Sequence, residues 1–196
     1  MARKKSDKPA DYIVPLNMNG LEGRVLHIPG PKNATREVLF VYGHHSSLER
    51  WFGIAKFISR YAAVTMPDLP GFGGMDSFYK IGKDASIDNY ADYMSSFIKM
   101  RYKRRRPVVV GMSFGFIVVT RMLQRCPALI KKIDLLVSFA GFAHKDDFTF
   151  SKTRWRFFYY GAKIFTHRLP ALFFRYVVLQ PVFVRTVYKH TPNAKE

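Results

Sequence analysis

Gly111-Met112-Ser113-Phe114-Gly115 is the segment whose residue types and spacing could do chemistry. It follows the apolar run Pro107-Val108-Val109-Val110 and opens a helix-like stretch from Phe114 to Cys126. Strand, tight turn and helix are the context in which G-x-S-x-G becomes a nucleophile elbow. The serine is then expected on a strained backbone. Side chains two residues either side would collide with the neighbouring strand and helix, so Gly111 and Gly115 are the elbow glycines. The hydroxyl is pushed clear of the sheet, and the helix N-terminus beneath it offers N–H groups to an anion. The plain alternative is a chance pentapeptide in a glycine-bearing turn, and the flanking elements weigh against it.

Strands alternating with helices must position this turn. Arg24–Ile28 alternates and reads as an early strand, closed by the turn cluster Pro29-Gly30-Pro31-Lys32-Asn33. Glu37–Tyr42 is a continuous apolar run, as in a strand buried on both faces. Apolar residues recur at helical spacing from Leu48 to Tyr61. Ala62–Met66 is a further buried strand, and Ser86 is placed to cap a helix running to Arg101. The elbow strand and its helix follow, and then the strand Ile133–Phe139. This order predicts βαβ units and a mostly parallel, doubly wound α/β sheet. Residues 1–20 read as a loose basic arm and residues 21–147 as the core. From 148 the texture becomes aromatic and basic, with two or three short helices expected, broken near Pro170 and Pro181.

Two further segments stand in order with the elbow. One is Phe40-Val41-Tyr42-Gly43-His44-His45-Ser46-Ser47, ahead of Trp51; the other is Met66-Pro67-Asp68-Leu69-Pro70-Gly71-Phe72-Gly73-Gly74. Together the three resemble the α/β-hydrolase superfamily over about residues 20–145. The first segment is similar to that family's oxyanion loop, with Tyr42 where a histidine is usual and Gly43 kept. The resemblance implies that the backbone N–H groups of His44 and Phe114 form the oxyanion hole. The second segment is similar to the family's Asp-x-Pro-Gly-x-Gly turn, whose role there is mainly structural. Residues 148–196 sit where family members insert a helical cap.

The resemblance further implies a serine hydrolase of esterase, lipase or thioesterase type. Ser113 would attack a small hydrophobic ester and form an acyl-enzyme, with no cofactor. A serine hydroxyl needs a base, and the family orders its triad Ser, Asp or Glu, His. The family's acid and histidine follow its seventh and eighth strands, which have no counterpart in this sequence. The fold is therefore expected to be C-terminally incomplete, the chain nearly inactive, and one sheet edge unpaired and open to self-association. Asp146, Asp147, His167 and His190 are downstream residues that could still complete a triad. They have more ordinary readings: helix capping for the aspartates, an exposed polar face for His167, and a frayed tail for His190.

Net charge bounds the partners. Thirty-two Lys and Arg against 14 Asp and Glu give +18, which favours anionic partners. No nucleic-acid motif accompanies the charge. The competing reading is a non-catalytic, hydrolase-like protein docking on an anionic membrane surface or a polyanion. Lys103–Arg106 could grip phosphate, although a solvated helix end is the default. His44 and His45 have no third ligand at local spacing, so no metal site is expected. His27 reads as a solvent-facing strand residue. Cys126 is the single cysteine, which excludes an internal disulfide and suits a reducing compartment. The apolar stretch Leu169–Val184 is interrupted by Arg175, Gln180 and Pro181, too broken for a membrane span. No secretory signal is evident, and a cytoplasmic protein is expected.

Overall fold

The computed structural model describes residues 7–44, 46–141 and 151–165. Six strands form one sheet in the order β1-β2-β4-β3-β5-β6. They are β1 (Ile13–Met18), β2 (Leu21–Ile28), β3 (Glu37–Val41), β4 (Ala63–Pro67), β5 (Val108–Met112) and β6 (Leu135–Phe139). β2 runs antiparallel to β1 and β4, whereas the β3–β4, β3–β5 and β5–β6 pairs are parallel. The expected mostly parallel α/β sheet is thus present.

Chain direction sets the layers. Helix α1 (Leu48–Ile58) joins β3 to β4 on one side of β3, and α2 (Ile87–Arg101) returns the chain to β5 on the other. Right-handed crossovers in opposite directions place these two helices on opposite faces. Helix α3 (Phe114–Arg125) continues in the same direction as α2 and packs beside it. The pair is clamped by Arg121 on Asp88 at 2.6 Å and Arg125 on Asp92 at 3.1 Å. Ser86 caps α2, its Oγ accepting the Asn89 N–H at 3.3 Å. The core lies between sheet and helices; all five residues of β3 are buried, Val38–Val41 as their apolar run anticipated and Glu37 as a buried acid.

The expectation of a loose arm over residues 1–20 is corrected by β1. Leu16 and Met18 are buried, and the strand pairs with β2 from Ile13↔Leu26 to Met18↔Leu21. Asn19 and Gly20, with φ 56° and 77°, make the two-residue turn between them. Asn-Gly is the strongest short hairpin signal, because both residues accept positive φ. Pro15 obscured the strand, yet proline is tolerated at a sheet edge where no ladder N–H is needed.

His27 is also corrected. It is half-buried, with Nδ1 3.0 Å from Thr65 Oγ1. Thr65 gives its own proton to Glu37 Oε1 at 2.6 Å, so Nδ1 must be the donor and a neutral ring leaves Nε2 as acceptor. Burial, and then the nearby Arg101 charge, hold the imidazole below its ordinary value of 6.5, while Glu37 pulls it upward. The unfolded chain therefore binds this proton more readily than the fold does. Stability is expected to fall as pH drops below about 6.5, until His27 protonates in the fold as well. Denaturant unfolding across that window should show a shallower pH slope in His27→Gln.

Chain contacts divide the protein into two units, Met1–Asp147 and Phe148–Glu196. Of the second, α4 (Lys152–Phe165) is described, with Ser151 Oγ accepting the Arg154 N–H at 3.4 Å. The breaks expected near Pro170 and Pro181 lie outside the described residues. Among the described residues no helix is long and apolar enough to cross a membrane.

Candidate active site

Ser113 stands at the junction of β5 and α3 with φ 48° and ψ −120°. A non-glycine residue there costs on the order of 1–3 kcal/mol, and persists only where its surroundings over-determine it. Those surroundings are visible. The Ser113 N–H donates to the Phe139 carbonyl at the end of β6 at 3.2 Å, and the Ser113 carbonyl accepts from Phe116 at 3.0 Å. A Cβ on Gly111 would stand 2.6 Å from Phe116 Cα, and one on Gly115 2.1 Å from the Val41 carbonyl oxygen. Both glycines are thus required by close approach. Ser113 Oγ makes no capping bond to α3, so the hydroxyl is not consumed by the helix it precedes.

The site lies where the strand order reverses. From β3 the chain passes outward to β4 and then back across to β5. In open parallel sheets the carboxyl ends of strands at such a switch point form the ligand crevice. Gly43 comes from the carboxyl end of β3, and a Cβ there would lie 3.1 Å from Ser113 Cβ and 3.6 Å from its Oγ. Gly43 and the serine therefore abut. His44 follows in a turn, its ring exposed and set edge-on against Phe114 at 5.6 Å and Phe72 at 5.2 Å between centroids. The two residues expected to donate N–H groups, His44 and Phe114, are brought side by side. Phe114 opens α3, whose first N–H groups have no partner within the helix.

Tyr42 explains how the loop is held without the family's histidine. Its side chain is fully buried; the phenol donates to Asp68 Oδ1 at 2.6 Å and accepts the Leu69 N–H at 3.1 Å. Burial first, and then the Asp68 charge, raise the phenol far above its usual range, so it remains a donor. Asp68 Oδ2 takes Arg24 Nε and the Gly74 N–H, each at 2.9 Å. A Cβ on Gly73, which has φ +55°, would meet the Asp68 carboxylate at 2.3 Å. The Asp-x-Pro-Gly-x-Gly segment thus wraps one buried carboxylate, and that carboxylate anchors the loop ahead of His44.

An aromatic wall stands beside the serine. Phe72, Tyr90 and Phe114 pack with centroids 5.2–6.2 Å apart, and Phe78 joins Tyr90 at 4.9 Å. Sequence reading placed Tyr90 only on a helix and Phe72 only in a turn. Their convergence depends on α2 packing beside α3, which no local spacing reports. Asp146, Asp147, His167 and His190 lie outside the described residues, as does His45. Among the described residues no three His, Cys, Asp or Glu side chains gather as metal ligands would.

Residues 37–178 match the family model for the alpha/beta hydrolase fold. The chain belongs to that family. Similar solved structures include an N-formylmaleamic acid deformylase from Pseudomonas putida S16, at 21% identity and TM-score 0.54 over 64% of this chain and 45% of that one. A membrane phospholipase A described as a bacterial virulence factor aligns at 18% and 0.57, over 71% of this chain and 44% of that one. A thermophilic esterase aligns at 24% and 0.52, over 67% and 45%. The chain spans less than half the length of each, and at these identities the likeness is one of fold. No curated protein matches the sequence.

Proposed function

We propose that the chain carries the nucleophile and the oxyanion donors of a serine hydrolase acting on hydrophobic acyl esters. Ser113 Oγ attacks the ester carbonyl carbon, and the alcohol leaves as the acyl-enzyme forms. The N–H groups of His44 and Phe114 receive the negative oxygen of the tetrahedral intermediate. Water then releases the acid and restores the hydroxyl. The observation that carries the reading is Ser113 in a strained turn against Gly43, at the carboxyl ends of β3 and β5. A serine at this place argues for acyl transfer rather than for chemistry begun by a carboxylate nucleophile. The wall of Phe72, Tyr90 and Phe114 favours an apolar acyl group over a peptide.

A fluorophosphonate probe tests this directly. Its phosphorus accepts an activated serine oxygen and expels fluoride, leaving a stable ester detectable by mass spectrometry. The probe is expected on the peptide containing Ser113 in the native protein and to be lost in Ser113→Ala. Equal labelling of Ser113→Ala, or labelling only after denaturation, removes the proposal.

A further inference from the structure

A second site opens at the opposite end of the parallel strands, roughly 16 Å from the first along the five residues of β5. Glu37 and Ala63 begin β3 and β4 there, and both line a cavity of about 680 Å³. Arg101, Lys103, Arg104 and Arg105 line it from the end of α2 and the segment ahead of β5. The facing wall is the Pro29–Pro31 turn, held close to β4: a Cβ on Gly30 would stand 2.5 Å from the Ala63 nitrogen. The hollow is thus preformed by stiff elements.

Its charge is unbalanced. Glu37 is the acid in the lining, and Thr65, Arg101 and Tyr102 already engage its Oε1 at 2.6, 3.1 and 3.1 Å. Lys103, Arg104 and Arg105 are exposed and form no ion pair among the described residues. A solvated helix end accounts for such cations on a convex surface; here they line a concavity.

An apolar groove of about 400 Å³ adjoins it and shares two lining residues, His27 and Arg101. Val14, Leu16, Phe97 and Met100 give the groove its character, with Val14 49% and Met100 42% exposed. Asp11 is the acid on its rim. A cationic hollow meeting a greasy groove across a two-residue saddle matches one kind of molecule. We infer that this end of the sheet binds a single-chain anionic amphiphile, its phosphate or carboxylate on Arg101 and Lys103–Arg105 and its alkyl chain along Val14, Phe97 and Met100.

Calorimetric titration of the full chain at low ionic strength tests this, with dodecyl phosphate below its micellar concentration. Pyrophosphate presents the head alone, and monomeric dodecyl maltoside the chain without charge. Dodecyl phosphate should bind at least about tenfold more tightly than either. The Lys103→Ala/Arg104→Ala/Arg105→Ala variant should lose about tenfold, and more of the affinity should vanish as salt screens the head. Met100→Gln, a polar change of similar length at an exposed helix position, should lose about threefold. Ser113→Ala should bind as the native chain does, which separates this site from the serine. The inference is overturned if pyrophosphate binds as well as dodecyl phosphate, or if the triple variant keeps its affinity. It is likewise overturned if Ser113→Ala loses binding, or if anionic vesicles bind and the monomeric amphiphile does not.

Discussion

Gly115→Ala is expected to destabilise the protein by about 3 kcal/mol or more, at the upper end of what an added methyl costs in a packed interior. The new Cβ would stand 2.1 Å from the Val41 carbonyl oxygen and 2.5 Å from that of Tyr42. Both obstacles are backbone, so no rotamer change relieves them. Either α3 must lift from β3 or the Tyr42–Gly43 segment must move, and each displaces Ser113 relative to His44. Fluorophosphonate labelling is therefore expected to fall with stability. Gly53→Ala is the matched control. Gly53 sits in the exposed middle of α1 with open space around it. There the same change should stabilise by about 0.5–1 kcal/mol, through helix propensity and a less free unfolded chain. Urea unfolding of the two variants beside the native protein measures both signs, and equal effects would show that the contact at Gly115 does not matter.

The strained turn at Ser113 was legible because everything it needs lies within about ten residues. An apolar run, two glycines and a helix start specify one local path, and φ 48° at Ser113 is its outcome. β3, β4 and β5 were legible as continuous apolar runs, since parallel strands buried on both faces show no alternation. β1 was hidden because an edge strand tolerates Pro15, and its exposed Val14 and Pro15 in succession break the alternation a strand would show. The Asn19-Gly20 turn was the clue available for it. What sequence could not report were contacts between distant residues. The Tyr42 phenol reaches Asp68, 26 positions away, and Tyr90 of α2 reaches Phe114 at the start of α3. His27 alternates with buried Leu26 and Ile28, which reads as solvent-facing; Thr65 of β4 and the end of α2 cover it instead.

Asp68→Ala is expected to cost about 3–5 kcal/mol, the range for leaving buried charge and polar groups without their partner. Asp68 is fully buried, and its carboxylate accepts from the Tyr42 phenol, the Arg24 guanidinium and the Gly74 N–H. Arg24 retains Glu49 at 2.6 Å and is part-exposed, so water and that carboxylate recover some of its loss. Tyr42 has no such escape: its hydroxyl keeps the Leu69 N–H but has nothing left to donate to. Tyr42→Phe should be milder, about 1–3 kcal/mol, because it strands the Leu69 N–H and one carboxylate oxygen without exposing a charge. The two variants also separate stability from function. Tyr42→Phe leaves β3 packed, yet frees the loop between Tyr42 and His44 that lies against Ser113. It should therefore fold, with a measurable loss in denaturant, and label more slowly with fluorophosphonate than its folded fraction explains. Labelling at the native rate in Tyr42→Phe would mean that Gly43 and His44 are held by their contacts with Ser113, Phe72 and Phe114 alone, and that the Asp68 anchor serves the fold but not the site.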